Sequence, residues 1–112
     1  MTDETPGGGM RDQLMEMLEY RVVLGAIVTT MDGLLITHAG LSPEDAEVLA
    51  AASSSQPDDN QYSSDKTGGG TLHVLRGNDM RLIVLTDSEA PRSAVTGLMS
   101  RHLGDLEESL AV

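Results

Sequence analysis

Hydrophobic positions are densest in residues 22–40, and the rest of the chain is organised around this stretch. Two apolar runs rich in β-branched residues are joined there by Asp32-Gly33. An Asp-Gly pair between hydrophobic runs is typical of a hairpin, because Gly adopts the positive φ that a tight turn needs. The first run is apolar at both alternating sets of positions, which predicts a strand covered on both faces. One predicted face carries Val22, Leu24, Ala26 and Val28, and the other carries Val23, Gly25, Ile27 and Met31.

Three other segments have helical patterns. Apolar residues recur at helical spacing in residues 10–20 and 91–110, so each is predicted to form an amphipathic helix. The methionines of the first helix keep the spacing of core residues, which favours burial over a binding surface. A third helix is predicted to begin at Ser42-Pro43, since Ser is a favoured N-cap and Pro fits the first helical position. Gly97 and Gly104 weaken the last helix, and close backbone packing is their predicted use.

A second hairpin is predicted from residues 71–76 and 80–86, with a turn at residues 77–79. Before it, residues 53–70 are dense in Ser, Asp and Gly, which leaves two alternatives open. This segment forms either a mobile loop or a short polar edge strand around residues 60–64. The resulting order of helices and hairpins predicts an α+β fold with an antiparallel sheet of four or five strands.

Composition narrows the classes of function. The 112 residues include 7 Lys and Arg against 18 Asp and Glu, a formal net charge of -11 that disfavours nucleic acid and anionic membranes as partners. The absence of cysteine excludes thiol chemistry, and two tyrosines as the sole aromatic residues provide no stacking platform. No apolar run is long enough for a membrane span or a signal peptide, so a cytoplasmic protein is expected. Residues 1–9 are predicted to be a flexible tail, and residues 10–112 a single domain.

Two short motifs resemble catalytic signatures, but neither fits its context. Residues 66–68 read Lys-Thr-Gly, and residues 63–66 match Ser-x-x-Lys, so a single lysine would have to serve two separate motif positions. The glycines at 68–70 follow Lys66 and Thr67, whereas in a phosphate-binding loop they would precede them. The segment is therefore better interpreted as a flexible loop.

The candidate metal ligands are equally isolated. His38, His73 and His102 lie on different predicted elements, so each is expected to be a structural or surface histidine. Residues 58–60, Asp-Asp-Asn, lack the glycine and glutamate positions of a calcium-binding loop. The sequence contains no recognisable catalytic constellation, and no enzymatic activity, cofactor or metal is predicted.

Two stretches carry a resemblance to a known family. VVLGAIVTTMDGLLITHAGLSPEDAEVLAAAS resembles the start of a Roadblock/dynein light chain domain, with a strand, an Asp-Gly turn, a second strand and an acid-capped helix. GGGTLHVLRGNDMRLIVLTDSEAPRSAVTGLMSRHLGDLEESL resembles the last two strands and closing helix of that family, which includes the bacterial MglB-like regulators. With the helix at 10–20, the resemblance covers most of residues 10–110.

The family resemblance implies a five-stranded antiparallel sheet, similar to profilin, with the terminal helices on one face and a middle helix on the other. It also implies a homodimer that binds a Ras-like small GTPase without contributing catalytic residues. Family members have a longer middle helix followed by a third strand, and this pair typically forms the dimer seam. Residues 53–70 are shorter and more polar in this chain. An exposed sheet edge, or a dimer contact, is therefore predicted at Thr71, Leu72, His73 and Val74.

The leading functional hypothesis is a non-enzymatic regulator or adaptor for a Ras-like small GTPase. Its predicted contact surface is the outer side of the middle helix, at Glu44, Glu47, Val48 and Ala51. The first alternative is a self-assembling scaffold that does not depend on a GTPase. A small-molecule sensor ranks below both, because the sequence reveals no convergent polar cluster.

Overall fold

The computed structural model describes residues 6–54, 62–67 and 69–111. Three helices and five strands follow one another along these residues. They are α1 (Pro6–Met17), β1 (Val23–Thr30), β2 (Leu35–Ala39), α2 (Pro43–Ser54), β3 (Tyr62–Thr67), β4 (Gly70–Arg76), β5 (Met80–Thr86) and α3 (Arg92–Ala111). The helix α1 begins four residues earlier than predicted, so residues 6–9 belong to a helix, and residues 1–5 of the predicted tail lie outside the described residues.

The five strands form one antiparallel sheet in the order β2-β1-β5-β4-β3. The two predicted hairpins, β1-β2 and β4-β5, are joined along the β1-β5 pair, where Ile27 lies opposite Ile83. Helices α1 and α3 cover one face, and α2 covers the other. This arrangement confirms the predicted α+β class and its division of helices between the two faces.

Two hydrophobic clusters lie on opposite faces of the sheet. The cluster beneath α1 and α3 is the larger, and its fully buried side chains include Met10, Leu14, Met17, Leu82 and Met99. The cluster beneath α2 contains Ile27, Ala46, Ala50, Leu72, Val74 and Ile83. Met10 and Met17 of α1 therefore serve as core residues, as their spacing predicted, whereas Met15 is exposed.

A β-bulge in β1 changes which face of the sheet its first residues occupy. Val23 lies opposite Thr86 and Gly25 lies opposite Leu85, so Leu24 is an extra residue on β1 and is 45% exposed. Because an extra residue shifts the alternation by one position, Val23 joins Ala26 on the α1–α3 side. The prediction that Val23 shares a face with Ile27, and Leu24 with Ala26, is therefore wrong.

The β1-β2 connection is also wider than a two-residue turn. Strand β1 ends at Thr30, and Leu34 accepts a backbone hydrogen bond from Thr30 at 2.8 Å. Gly33 has a φ of 94°, which agrees with the predicted role of the Asp-Gly pair. The hydroxyl of Thr30 also accepts a hydrogen bond from the Leu34 amide, and this side-chain contact stabilises the loop.

Helix α2 is fixed at both ends. At its start the Ser42 hydroxyl accepts a hydrogen bond from the Asp45 amide at 3.1 Å, so the predicted N-cap is confirmed. At its end the guanidinium of Arg81, on β5, donates to the Ser53 carbonyl at 3.2 Å. Arg81 is buried, and its positive charge lies at the negative end of the helix dipole. The first contact stabilises the start of the helix, and the second ties its end to the sheet.

The polar segment before β4 does contain a strand. Residues 62–67 form β3, which pairs with β4 from Tyr62 opposite Leu75 to Thr67 opposite Gly70. The alternative of a polar edge strand is therefore the correct one, although its predicted first residues, Asn60 and Gln61, lie outside the described residues. Strand β4 is consequently an interior strand.

The predicted exposed edge at Thr71, Leu72, His73 and Val74 is therefore wrong, because β3 covers that side of β4. Apart from Thr71, which is partly exposed, these residues are buried. The sheet edge is displaced by one strand, to β3.

The two helical glycines of α3 do not have the predicted packing role. A Cβ built at Gly97 or at Gly104 meets no atom within 4 Å. Both residues lie on the exposed side of the helix. The predicted close packing at Gly97 and Gly104 is therefore wrong, because α3 turns these positions away from the sheet.

Gly70, in contrast, is required where β3 turns into β4. Its φ is 149°, and a Cβ there would lie 2.0 Å from the Thr86 carbonyl oxygen. We expect Gly70→Ala to lower the free energy of unfolding by about 2 kcal/mol or more, because backbone strain adds to the steric clash. Gly97→Ala is the matched control and should raise it by up to about 1 kcal/mol. Chemical denaturation followed by circular dichroism measures both, and equal stability of the Gly70 variant and the wild type would contradict this account.

Candidate functional site

The outer side of α2 presents the residues that the sequence singled out. Glu44, Glu47, Val48 and Ala51 are all exposed and recur at helical spacing, so they form one continuous stripe that we call the α2 face. Val48 is 65% exposed, an unusual position for a β-branched apolar side chain. The opposite side of the helix carries Ala46, Ala50 and Ser53 and is buried against the sheet.

The edge strand β3 is tied to the interior strands by a chain of polar side chains. The Tyr62 hydroxyl lies 2.7 Å from Nδ1 of His73, and Nε2 of His73 lies 2.9 Å from the Thr86 hydroxyl. His73 is completely buried. The chain thus joins β3, β4 and the last residue of β5, and we call it the Tyr–His–Thr network.

The hydrogen bond that Thr86 makes outside this network determines which atoms within it donate and which accept. The Thr86 hydroxyl donates to the Asp87 carbonyl at 3.1 Å, so its oxygen is left to accept a hydrogen bond from Nε2 of His73. Nδ1 is then unprotonated and accepts the proton of the Tyr62 hydroxyl. Burial lowers the pKa of His73, and the positive charge of Arg92 lowers it further. The histidine is therefore neutral near pH 7.

This network is only partly visible in the sequence. His73 was expected to be structural, and its two hydrogen bonds agree with that expectation. Tyr62 and Thr86 were not recognised as its partners, because the pairing depends on a strand register that the polar segment does not specify. The sequence signal for this network is Tyr62, an isolated aromatic residue in a segment rich in Ser, Asp and Gly.

The other histidines belong to different surroundings. His102, on α3, is buried, and its Nδ1 lies 2.9 Å from the Gln13 side-chain oxygen on α1. His38 lies on β2, opposite Ile27. Within the described ranges, no group of three or more His, Asp or Glu side chains is arranged to hold a metal ion. Residues 58–60, which lack the pattern of a calcium-binding loop, lie outside those ranges.

Known proteins resemble this chain in structure. No family profile matches the sequence, and no curated protein sequence matches it. Among solved structures, a Roadblock/LC7 domain from Streptomyces avermitilis is 27% identical, with a TM-score of 0.75, over 84% of this chain and 94% of its own. The resemblance to the Roadblock/LC7 family is confirmed.

Two further solved structures share the fold at lower sequence identity. An MglB protein in a tetrameric arrangement has a TM-score of 0.78 at 17% identity, over 97% of this chain and 93% of its own. Profilin IB from Acanthamoeba castellanii has a TM-score of 0.55 at 12% identity, over 96% of this chain and all of its own. At these identities the comparisons establish the shared fold, so this chain has the predicted profilin-like architecture.

No helix within the part of the chain that the structure describes has the length and apolar character needed to cross a membrane.

The hydrogen bond between Tyr62 and His73 in the Tyr–His–Thr network should contribute to stability. We expect Tyr62→Phe to lower the free energy of unfolding by about 1 kcal/mol, because Nδ1 of His73 loses its donor. Tyr20→Phe is the control, since the exposed Tyr20 should tolerate the change to within about 0.5 kcal/mol. Urea unfolding of both variants measures the difference, and equal effects would show that the hydrogen bond adds nothing.

The neutral state of His73 predicts a pH dependence of stability. The folded pKa lies below the ordinary value of 6.5, so on acidification the unfolded chain binds a proton at this residue before the folded protein does. The contribution of His73 is therefore complete above pH 6.5 and is lost as the pH falls below it. The measurement is the free energy of unfolding of wild type minus that of His73→Gln between pH 8 and 5. This difference should shrink on acidification, whereas a constant or growing difference would contradict the assignment.

Proposed function

We propose that this chain is a non-enzymatic regulator or adaptor that binds a Ras-like small GTPase in the cytoplasm and acts as a homodimer. The α2 face carries the proposal, because it combines exposed Val48 with the carboxylates of Glu44 and Glu47. An exposed apolar residue among charges is a common feature of protein interaction surfaces. The structural likeness to MglB and to a Roadblock/LC7 domain supports the same class of function.

The chemistry of the described residues is consistent with a binding role. Both nitrogens of the buried His73 are engaged in hydrogen bonds with Tyr62 and Thr86, so neither is free to accept a proton from a substrate. A regulator of this kind would act by binding and positioning the residues of its partner.

The edge strand β3 supports the homodimer part of the proposal. Among the described residues it is the last strand on its side of the sheet, and a sheet edge is a common place for pairing with a second chain. Strand β3 is also the next element after α2 in the sequence. A dimer interface at β3 would therefore be adjacent in sequence to the proposed α2 face. The tetrameric arrangement of the MglB neighbour supports the proposal of self-association.

The α2 face is tested with Val48→Arg and Ala51→Arg in one chain. Both positions are exposed, so the fold should persist, while the added bulk and positive charge should weaken binding to a Ras-like GTPase at least tenfold. The partner is best chosen from small GTPases encoded near this gene, loaded either with GDP or with a non-hydrolysable GTP analogue. Isothermal titration calorimetry gives the affinity.

Met15→Arg is the matched control, because Met15 is also an exposed apolar residue on a helix but belongs to α1 on the other face. It should leave the affinity unchanged. If wild type binds the GTPase and the α2 variant binds equally well, the contact surface lies elsewhere. If wild type binds neither nucleotide form of any candidate and does not change their hydrolysis rates, the proposed function is wrong.

The scaffold alternative is favoured by the same exposed β3 edge. Multi-angle light scattering distinguishes the two functions. A dimer that recruits a GTPase supports the proposal, whereas assemblies that grow with concentration and ignore GTPases support the scaffold.

A further inference from the structure

A cavity of about 390 Å³ lies between the sheet edge and the start of α3. Its lining comes from β3, from β4 and from the segment that leads into α3. The lining residues are Ser64, Asp65, Lys66, Thr71, His73, Ser88, Ala90 and Arg92. The cavity lies at the lower end of the range of volumes found for small-molecule sites. It lies on the opposite face of the sheet from α2, so it is separate from the proposed protein contact.

The cavity concentrates positive charge in an acidic protein. Two of the seven basic side chains, Lys66 and Arg92, line it, although the chain carries a formal net charge of -11. Two cations at one cavity are unusual where acidic residues outnumber basic ones by 18 to 7.

Strand register sorts the charges around the cavity. Lys66 lies opposite Thr71 and Ser64 lies opposite His73, which places these four residues on the α3 side of the sheet. Asp65 lies opposite Leu72, which belongs to the cluster beneath α2. Alternation along β3 therefore directs the carboxylate of Asp65 to the other face.

The guanidinium of Arg92 is held in position by the Tyr–His–Thr network. It lies over the Tyr62 ring, 5.7 Å from the ring centroid, and the Tyr62 hydroxyl is itself bonded to His73. Its positive charge also contributes, after burial, to lowering the pKa of His73. The network thus orients a cation as well as securing the edge strand.

Hydroxyl groups complete the lining. Ser64, Thr71 and Ser88 each present a hydrogen-bond donor there, next to Lys66 and Arg92. We propose that this cavity binds the phosphate group of a small phosphorylated molecule, with Lys66 and Arg92 as its charge partners and the three hydroxyls as donors. Arg and Lys are the usual phosphate partners in proteins, and an oxyanion with several acceptor oxygens can use all of these donors.

The test is a titration of the ¹⁵N-labelled full chain with inorganic phosphate at pH 7.5, with sodium chloride adjusted to keep the ionic strength constant. Amide signals of Thr71, Ser88 and Ala90 should shift in a saturable manner, with a dissociation constant in the millimolar range, and those of the α2 face should not. Glucose 6-phosphate is titrated in the same way. Tighter binding of the sugar phosphate supports a small organic phosphate as the ligand, and equal binding supports recognition of the phosphate group alone.

The variant is Lys66→Gln with Arg92→Gln, and the matched control is Arg11→Gln with Arg21→Gln. All four side chains are exposed, and both pairs change the net charge by the same amount. The cavity variant should bind phosphate at least tenfold more weakly than wild type, while the control should be unchanged. Because the spectrum also reports folding, a variant that loses binding while its signals remain dispersed supports the proposal.

Three results would overturn the proposal: no saturable shift with either phosphate, the same shifts with chloride alone, or equal phosphate affinity in the cavity variant and the control. None of these depends on a GTPase, so the proposal can fail while the proposed function stands, and the reverse also holds.

Discussion

The pairing of β1 with β5 is the constraint on which the rest of this structure depends. These are the central strands of the sheet, and five consecutive residues of β5, from Met80 to Val84, are buried. A strand buried at every position must be covered on both faces, since each exposed apolar side chain would forfeit its transfer free energy. Helices α1 and α3 cover one face and α2 covers the other, so the layer arrangement follows from the composition of these two strands.

The edges of the same sheet are built differently. Strand β3 has almost no apolar residues to bury, and its attachment therefore relies on backbone pairing with β4 and on the bond from Tyr62 to His73. Such an edge is accessible to another chain, which suits a protein that self-associates. Ser64 and Lys66 of β3 lie on the α3 side of the sheet. Large apolar side chains at these two positions would have filled the cavity. The polar composition of β3 is thus relevant both to the proposed dimer edge and to the proposed phosphate site.

The two proposed sites use opposite parts of the charge distribution. The α2 face combines acids with Val48, whereas the cavity at α3 gathers Lys66 and Arg92. The sheet separates them, so a ligand in one does not obstruct the other. Strand β3 is the element between them, since it follows α2 in the chain and lines the cavity. Occupancy of the cavity would stabilise this strand and could thereby favour pairing at the edge.

Local patterns in the sequence determined the hairpins, the Ser42 N-cap, the buried side of each helix and the α+β class, because hydrophobic periodicity and turn chemistry act over a few neighbouring residues. Tertiary structure alone decided the bulge at Leu24, the strand in residues 62–67 and the outward orientation of Gly97. A polar strand lacks the periodicity that would reveal it, and its register is set by β4. The convergence of Tyr62, His73 and Arg92 depends on that register, so no spacing in the sequence could have predicted the cavity.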